Sequence, residues 1–220
     1  MTRLQDRWQG FVVAFTTIAA LLSTGTAASA QGKYAELTAD WWQWVAKQPV
    51  ATNPIFDETG AQAGNEQPEK KVFFLVGVIN TSGTAERTIT VPSGKAIFFP
   101  ILNIESDNAA IPPTSYTVPQ LRDLAAASID SITSLFVTLD GVSLLDSVTR
   151  IKSPVFSYTL PDTDNIYQFF GLDITGTIKP AVGDGYWLYL PPLARGTYTL
   201  KFGGSQPGFD LAITYHITVK

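Results

Sequence analysis

The segment from Phe209 to Val219 alternates between apolar and polar residues, and this pattern constrains the fold more than any other feature of the chain. All odd positions are apolar, whereas the even positions carry mainly polar side chains. Successive side chains of a β-strand point to opposite faces of the sheet. The segment therefore predicts a strand with one face in a core and the other in water.

Short apolar runs separated by turn residues recur through the rest of the chain and give about nine strand candidates. The Asp140-Gly141 pair between two such runs is typical of a two-residue hairpin. Only two helices are predicted beside these strands. This pattern favours a mainly β fold, an antiparallel β-sandwich or jelly roll with two peripheral α-helices.

The first predicted helix spans residues 34 to 48 and is stopped by Pro49. Its apolar residues recur at spacings of three and four, which places them on one face: Tyr34, Leu37, Trp41, Trp44 and Val45. The second helix opens at Thr117, where Gln120 completes a capping box. Its packing stripe is predicted to include Leu121, Leu124, Ala125 and Ile129.

Residues 1 to 30 have the composition of a cleavable secretory signal. Arg3 and Arg7 precede an apolar stretch at 11 to 22, and Ala28-Ser29-Ala30 gives small residues before a cut ahead of Gln31. We therefore expect export to the periplasm or the extracellular space, with residues 31 to 220 as a single β-rich globular domain. No membrane span is expected to remain after cleavage.

Charge and cysteine content exclude several classes of function. The formal net charge of −4 argues against nucleic acid as a partner, because nucleic acid is bound through clustered Lys and Arg. The chain has no cysteine, so disulfides, thiolate zinc sites and cysteine nucleophiles are not available to it. Its stability must come from packing.

No catalytic motif of the common hydrolases is present. The only histidine, His216, falls on the polar side of the last strand, and the sequence contains no G-x-S-x-G elbow, H-E-x-x-H motif or phosphate loop. Catalysis by a serine or threonine usually needs a histidine base. We therefore predict no catalytic residues of this kind and lean toward a non-enzymatic role.

Acidic and amide residues follow two of the predicted strands: Glu105, Asp107 and Asn108, then Asp162 and Asp164. Such oxygen donors would suit Ca²⁺ as a cofactor, since this ion takes six to eight hard ligands. Paired carboxylates could alternatively serve as general acid and base in a hydrolase that acts on polysaccharide. Ordinary turn chemistry is the third interpretation.

Three aromatic residues are candidates for ligand binding: Trp42, Tyr186 and Trp187. A flat apolar ring with a polar edge suits stacking on a sugar. Alternate residues of a strand normally face a core, which gives Tyr186 and Trp187 a structural alternative. Trp42 lies off the apolar stripe of the first helix and is the best single candidate for an exposed ring.

Several motifs together resemble those of a group of uncharacterised exported bacterial proteins. They are Trp41-Trp42-Gln43-Trp44, the run from Val91 to Pro100 (VPSGKAIFFP), and Asp184-Gly185-Tyr186-Trp187 followed by Pro192-Leu193 and Gly196. The resemblance covers most of residues 31 to 220 in the same order. It implies an exported β-rich domain and brings no established activity with it.

The features considered together favour an exported, non-catalytic binding or envelope-associated β-sandwich, with glycan or another surface component as the expected ligand. A carboxylate-based hydrolase and a calcium-stabilised module are the alternatives. The oligomeric state cannot be predicted from this sequence.

Overall fold

A computed structural model describes residues 32 to 69, 71 to 109 and 115 to 220. The predicted signal sequence, residues 1 to 30, lies outside the described residues. Helix α1 occupies residues 32 to 46. It is followed by β1 (Val72–Phe74), β2 (Thr84–Val91), β3 (Ala96–Ser106), α2 (Val118–Asp130), β4 (Ser134–Leu139), β5 (Val142–Ser143), β6 (Thr149–Arg150), β7 (Phe156–Leu160), α3 (Ile166–Phe169), β8 (Gly176–Leu190), β9 (Gly196–Gln206) and β10 (Phe209–Val219).

The strands form two five-stranded sheets, and the predicted mainly β sandwich with peripheral helices is confirmed. The first sheet has the order β1-β3-β8-β6, with β7 paired to the first half of the long strand β8. The second has the order β2-β10-β9-β4-β5. Most neighbours are antiparallel, but β1 runs parallel to β3 and β2 runs parallel to β10. Both sheets are therefore mixed, because the chain crosses between them from β1 through β2 to β3.

The main core lies between the two sheets. Phe99 and Leu188 of the first sheet pack against Phe202 and Ile213 of the second, and all four side chains are buried. The alternation predicted for residues 209 to 219 is seen in β10, whose residues Leu211, Ile213, Tyr215, Ile217 and Val219 are buried in this core. Burial of these apolar side chains is the main driving force for the sandwich.

Helix α1 covers the outer face of the first sheet. Its stripe of Leu37, Trp41, Trp44 and Val45 packs on the outward-facing residues Phe74, Phe98 and Trp187, as the helical spacing predicted. The helix ends at residue 46, and the buried amide of Asn53 donates a hydrogen bond of 2.8 Å to the carbonyl of Val45. The described helices include none that is long and apolar enough to cross a membrane.

Helix α2 begins at the predicted capping box, where the backbone N–H of Thr117 donates to the Gln120 side chain at 2.9 Å. Its buried residues are Leu121, Ala125 and Ile129, and they pack the helix against β3 and β8. Leu124, which the sequence places in the same stripe, is exposed. A third, short helix, α3, adds to the two that the sequence predicts.

Candidate functional site

A half-open pocket of about 260 Å³ lies beside helix α1, between the end of β3, strand β7 and helix α3. Apolar and aromatic side chains form most of its wall, and one acidic side chain reaches it. The lining residues are Trp42, Val45, Ala46, Ile104, Glu105, Tyr158, Ile166, Tyr167 and Phe170. This composition, an apolar wall with few polar groups, is typical of small-molecule sites.

A β-bulge in β3 directs Glu105 toward this pocket. The pairing of β3 with β8 shifts register between Pro100 and Leu102, at a proline that has no N–H to donate to the ladder. Both Ile101 and Leu102 face the core between the sheets, so the alternation of side chains is reversed beyond them. Glu105 consequently lies on the outer side of the sheet, where helix α1 packs.

Asp107 follows the end of β3 and is held by three hydrogen-bond donors. Its Oδ2 accepts hydrogen bonds from the hydroxyl of Tyr158 and, at 2.6 Å, from that of Tyr167. Its Oδ1 accepts one from the backbone N–H of Ala109 at 2.6 Å. The side chain is 8% exposed. Asp107 thus acts as a hydrogen-bond acceptor through both of its carboxyl oxygens.

Glu105 keeps its proton at neutral pH. Burial raises the pKa of its carboxyl from the usual 4.5 to about 9, and the negative charge of Asp107 and a hydrogen bond with it act in the same direction. Its Oε1 atom is buried and has no hydrogen-bond partner among the described residues. The floor of the pocket therefore presents a neutral carboxylic acid next to a carboxylate.

The two tyrosines also stay protonated over the whole physiological range. Burial raises the pKa of Tyr158 well above its usual value, and the nearby charge of Asp107 acts in the same direction. The pKa of Tyr167 is raised by burial first and by its hydrogen bond to Asp107 second. Their hydroxyl oxygens lie 3.0 Å apart. Both hydroxyls are therefore available as donors to Asp107.

Local structure around α3 places Tyr167 at the site. Asn165 is completely buried, and its side-chain oxygen accepts hydrogen bonds from the backbone N–H groups of Tyr167 and Gln168. The Gln168 side chain accepts in return from the Asn165 N–H, which completes a capping box. This cap fixes the start of α3, and Tyr167 follows the cap by two residues.

Trp42 forms one wall of the pocket and rests against Gly183 of β8. A Cβ atom at position 183 would lie 3.0 Å from Nε1 of Trp42, so any larger residue would require the indole to shift by a few tenths of an ångström. The ring also makes an edge contact with Trp41 at a centroid distance of 4.9 Å. Trp42 is half-buried, and its position off the apolar stripe of α1 is what turns it toward the pocket.

Aromatic residues at the C-terminal end of α3 form the rim of the pocket. Phe170 lines the pocket and is 60% exposed. Its neighbour Phe169 is also exposed and packs on Phe56 at a ring distance of 4.6 Å. The rim of the pocket is therefore apolar, like its wall.

The three aromatic residues predicted to bind a ligand do not share one surface. Trp42 lines the pocket. Trp187 is 2% exposed and stacks on Phe98 at 5.0 Å in the layer between α1 and the first sheet. Tyr186 is half-buried and lines a separate groove with Ile132 and Val148. Because neighbours on a strand face opposite sides, Tyr186 and Trp187 cannot form one stacking platform.

The five predicted metal ligands are also separated. Glu105 and Asp107 lie together, but Asn108 turns away to bond the backbone of Tyr116. Asp164 accepts from the N–H of Ala51 at 3.0 Å, and Asp162 is an exposed loop residue. Among the described residues no group of three or more His, Cys, Asp or Glu side chains could hold a metal ion.

Other polar residues considered from the sequence have structural contacts. His216 lies on the outer side of β10, as its parity predicts, and contacts Glu86 at 2.8 Å. Asp184 is buried and forms an ion pair of 2.8 Å with Arg150. Neither residue reaches the pocket.

Sequence reasoning missed the two tyrosines of the site and a buried arginine. The burial of Tyr158 follows the alternation of β7, in which Phe156, Tyr158 and Leu160 are buried. Arg87 has the same parity as Ile89 and is buried; its guanidinium donates to the carbonyls of Asp57, Val76 and Gly77, and to the hydroxyl of Tyr215. The alternation of each strand could have predicted that these side chains point inward. It could not have identified their hydrogen-bond partners.

Comparisons of the chain with protein-family models, with curated proteins and with solved structures found no match. The chemistry of the pocket is therefore the basis for assigning a function.

Proposed function

We propose that the chain is an exported, non-catalytic binding protein that takes a small, largely apolar ligand into the pocket beside helix α1. One observation carries the proposal: a half-open cavity of about 260 Å³ has apolar and aromatic walls and a single acidic group on its floor. Buried polar atoms are nearly always hydrogen-bonded, and the unpartnered Oε1 of Glu105 is an exception at this floor. A bound ligand would supply the missing partner for this carboxyl group.

The size of the cavity limits the ligand. Sites for drug-sized molecules commonly measure roughly 300 to 1,000 Å³, and this one lies just below that range. A single ring or a short branched chain fits this volume better than an extended oligosaccharide. If glycan is the ligand, we expect one terminal sugar ring to enter and to stack on Trp42 or Phe170.

The hydrogen bonding of Asp107 favours binding over glycoside hydrolysis. Glycosidases hold their two carboxyl groups about 5 to 9.5 Å apart, with the substrate or a water molecule between them. The Tyr158 and Tyr167 hydroxyls donate to Oδ2 of Asp107, and the backbone N–H of Ala109 donates to its Oδ1. Both oxygens of Asp107 are therefore engaged as acceptors, which does not suit a nucleophile or a general base.

Proton-transfer catalysis is the second candidate function, and the protonation of Glu105 favours it. A carboxylic acid that keeps its proton at pH 7 in an apolar pocket has the property required of a general acid. In this case the mature chain should turn over a ligand that it binds. The Glu105→Gln variant should then retain binding and lose turnover.

A ligand screen by thermal unfolding tests the binding proposal. The chain from Gln31 onward would be heated with small aromatic alcohols, monosaccharides and CaCl₂, each in excess. A ligand present at 100 times its Kd adds about 2.7 kcal/mol to the stability of the folded state, which gives an upward shift in Tm of several degrees. A shift with CaCl₂ alone would instead support the calcium-stabilised module.

Two alanine variants locate the site. Phe170→Ala should weaken binding by roughly tenfold, because it removes an exposed ring from the rim. Phe209→Ala is the matched control, since Phe209 is also an exposed phenylalanine but begins β10 in the second sheet. The proposal fails if no small ligand raises Tm, or if both variants weaken binding equally.

A further inference from the structure

We infer that the ligand of this pocket is a small organic ammonium cation, held by the Glu105–Asp107 pair and by the surrounding aromatic rings. This inference rests on the proposed binding function and adds the chemical class of the ligand. Three observations support it: the charge of Asp107, the aromatic lining of the pocket and the protonation state of Glu105.

The negative charge of Asp107, beside Glu105, has no cationic side chain as a partner among the residues that the structure describes. Among the described residues no Lys, Arg or His side chain forms an ion pair with Asp107 or Glu105. The lining of the pocket likewise contains no cationic side chain. Buried charges in proteins are normally paired, because removing an ion from water is costly. A cationic ligand would provide this pairing.

The walls suit a cation that is also apolar. Rings of Trp42, Tyr158, Tyr167 and Phe170 line the cavity. The face of an aromatic ring attracts an ammonium group, and cages of such rings bind quaternary ammonium compounds. An anionic ligand would meet the charge of Asp107 and is disfavoured, while a neutral ligand would leave that charge stabilised by hydrogen bonds alone.

Binding of a cation should release the proton of Glu105. Among the described residues, the groups that face this carboxyl are Asp107, which follows β3, Tyr158 on β7 and Tyr167 on α3, and the lining residues of α1 are not titratable. Both tyrosines remain neutral donors, so Glu105 is the group that responds to the incoming charge. The affinity for a cation should therefore increase as the pH rises toward 9, by up to roughly tenfold per pH unit.

Choline and 3,3-dimethylbutan-1-ol form a matched pair of probes. They have the same shape, but the first carries a permanent positive charge and the second is neutral. Since neither titrates between pH 6 and 9, any pH dependence of binding belongs to the protein. Isothermal titration calorimetry of the chain from Gln31 onward would be carried out at pH 6, 7, 8 and 9. At pH 8 choline should bind at least tenfold more tightly than 3,3-dimethylbutan-1-ol. The affinity for choline should also rise with pH.

Two variants separate the roles of the acidic groups. Glu105→Gln keeps the shape of the side chain and removes the titratable carboxyl group. Choline should therefore still bind, but with an affinity that is independent of pH. Asp107→Asn should weaken the binding of choline by tenfold or more and leave the affinity for the neutral alcohol unchanged. Circular dichroism would establish that each variant is folded. If a variant does not fold, the comparison of the two probes on the unmodified chain still tests the inference.

The outcomes distinguish this inference from the proposed function. Equal binding of the two probes, or a choline affinity that does not change with pH, would overturn the cation assignment while the pocket remains a binding site. Binding of neither probe, together with a positive result for a neutral ligand in the thermal screen, would also overturn it. If no small ligand of any charge binds, the proposed function itself is wrong.

Discussion

The stability of the folded chain should decrease as the pH rises from 5 to 9, and Glu105 is the residue that we expect to cause this change. Folding raises the pKa of Glu105 from 4.5 to about 9. Between these two pH values the folded state holds a proton that the unfolded state has released. The stabilisation is therefore fully present below pH 4.5 and is lost as the pH rises through 9.

The magnitude follows from the size of this shift. Each pH unit inside the window changes the free energy of unfolding by about 1.4 kcal/mol, which amounts to roughly 4 kcal/mol between pH 5 and pH 8. Domains of this size are commonly stable by only about 5 to 15 kcal/mol, so the effect is a large fraction of the total. Glu105→Gln cannot release a proton and should lose this pH dependence.

Urea denaturation at pH 5, 6, 7 and 8 measures the effect directly. The difference in unfolding free energy between Glu105→Gln and the unmodified chain should shift by roughly 4 kcal/mol in favour of the variant over this range. Glu36→Gln is the control, because Glu36 is exposed on α1. Parallel curves for the unmodified chain and Glu105→Gln would show that Glu105 is already ionised in the folded state.

Three further substitutions test the contacts that build the fold and the site. Arg87→Met should lower stability by roughly 3 to 5 kcal/mol in urea denaturation, because it leaves several buried acceptors unpaired; a loss below 1 kcal/mol would contradict this. Tyr167→Phe removes one donor to Asp107 and should cost about 1 to 3 kcal/mol, measured in the same way. Gly183→Ala should displace the Trp42 indole, with a change in tryptophan fluorescence and a loss of about 1 to 3 kcal/mol. Gly64→Ala, which meets nothing within 4 Å, is its control, and equal effects of the two would refute the contact.

Local patterns predicted the elements that depend on neighbours in the sequence. The stripe of α1, the capping box of Thr117 and the alternation of residues 209 to 219 each reflect contacts or faces set by a fixed period along the chain. The mainly β sandwich followed from the number and spacing of such elements. The parallel pairing of β2 with β10 could not be predicted, because its partners are separated by more than one hundred residues.

The candidate site was only partly predictable for the same reason. Sequence reasoning selected Trp42, Glu105 and Asp107 as residues of interest, and all three belong to the pocket or to its hydrogen-bond network. It grouped Asn108, Asp162 and Asp164 with the acidic pair because they are close in sequence or have similar chemistry. The folded chain directs these three side chains to other partners.

The sequence by itself determined most of the strands, the two longer helices and the absence of disulfide and thiolate chemistry, since these depend on residue type and short-range periodicity. It did not predict β6 or the first ten residues of β8. Tertiary structure alone decided which acidic group keeps a proton. The bulge after Pro100 turns Glu105 outward, α1 shields it from water, and Tyr158 and Tyr167 hold Asp107 beside it. Desolvation and charge repulsion act through space, so a pKa of about 9 at Glu105 arises only when these separate segments meet.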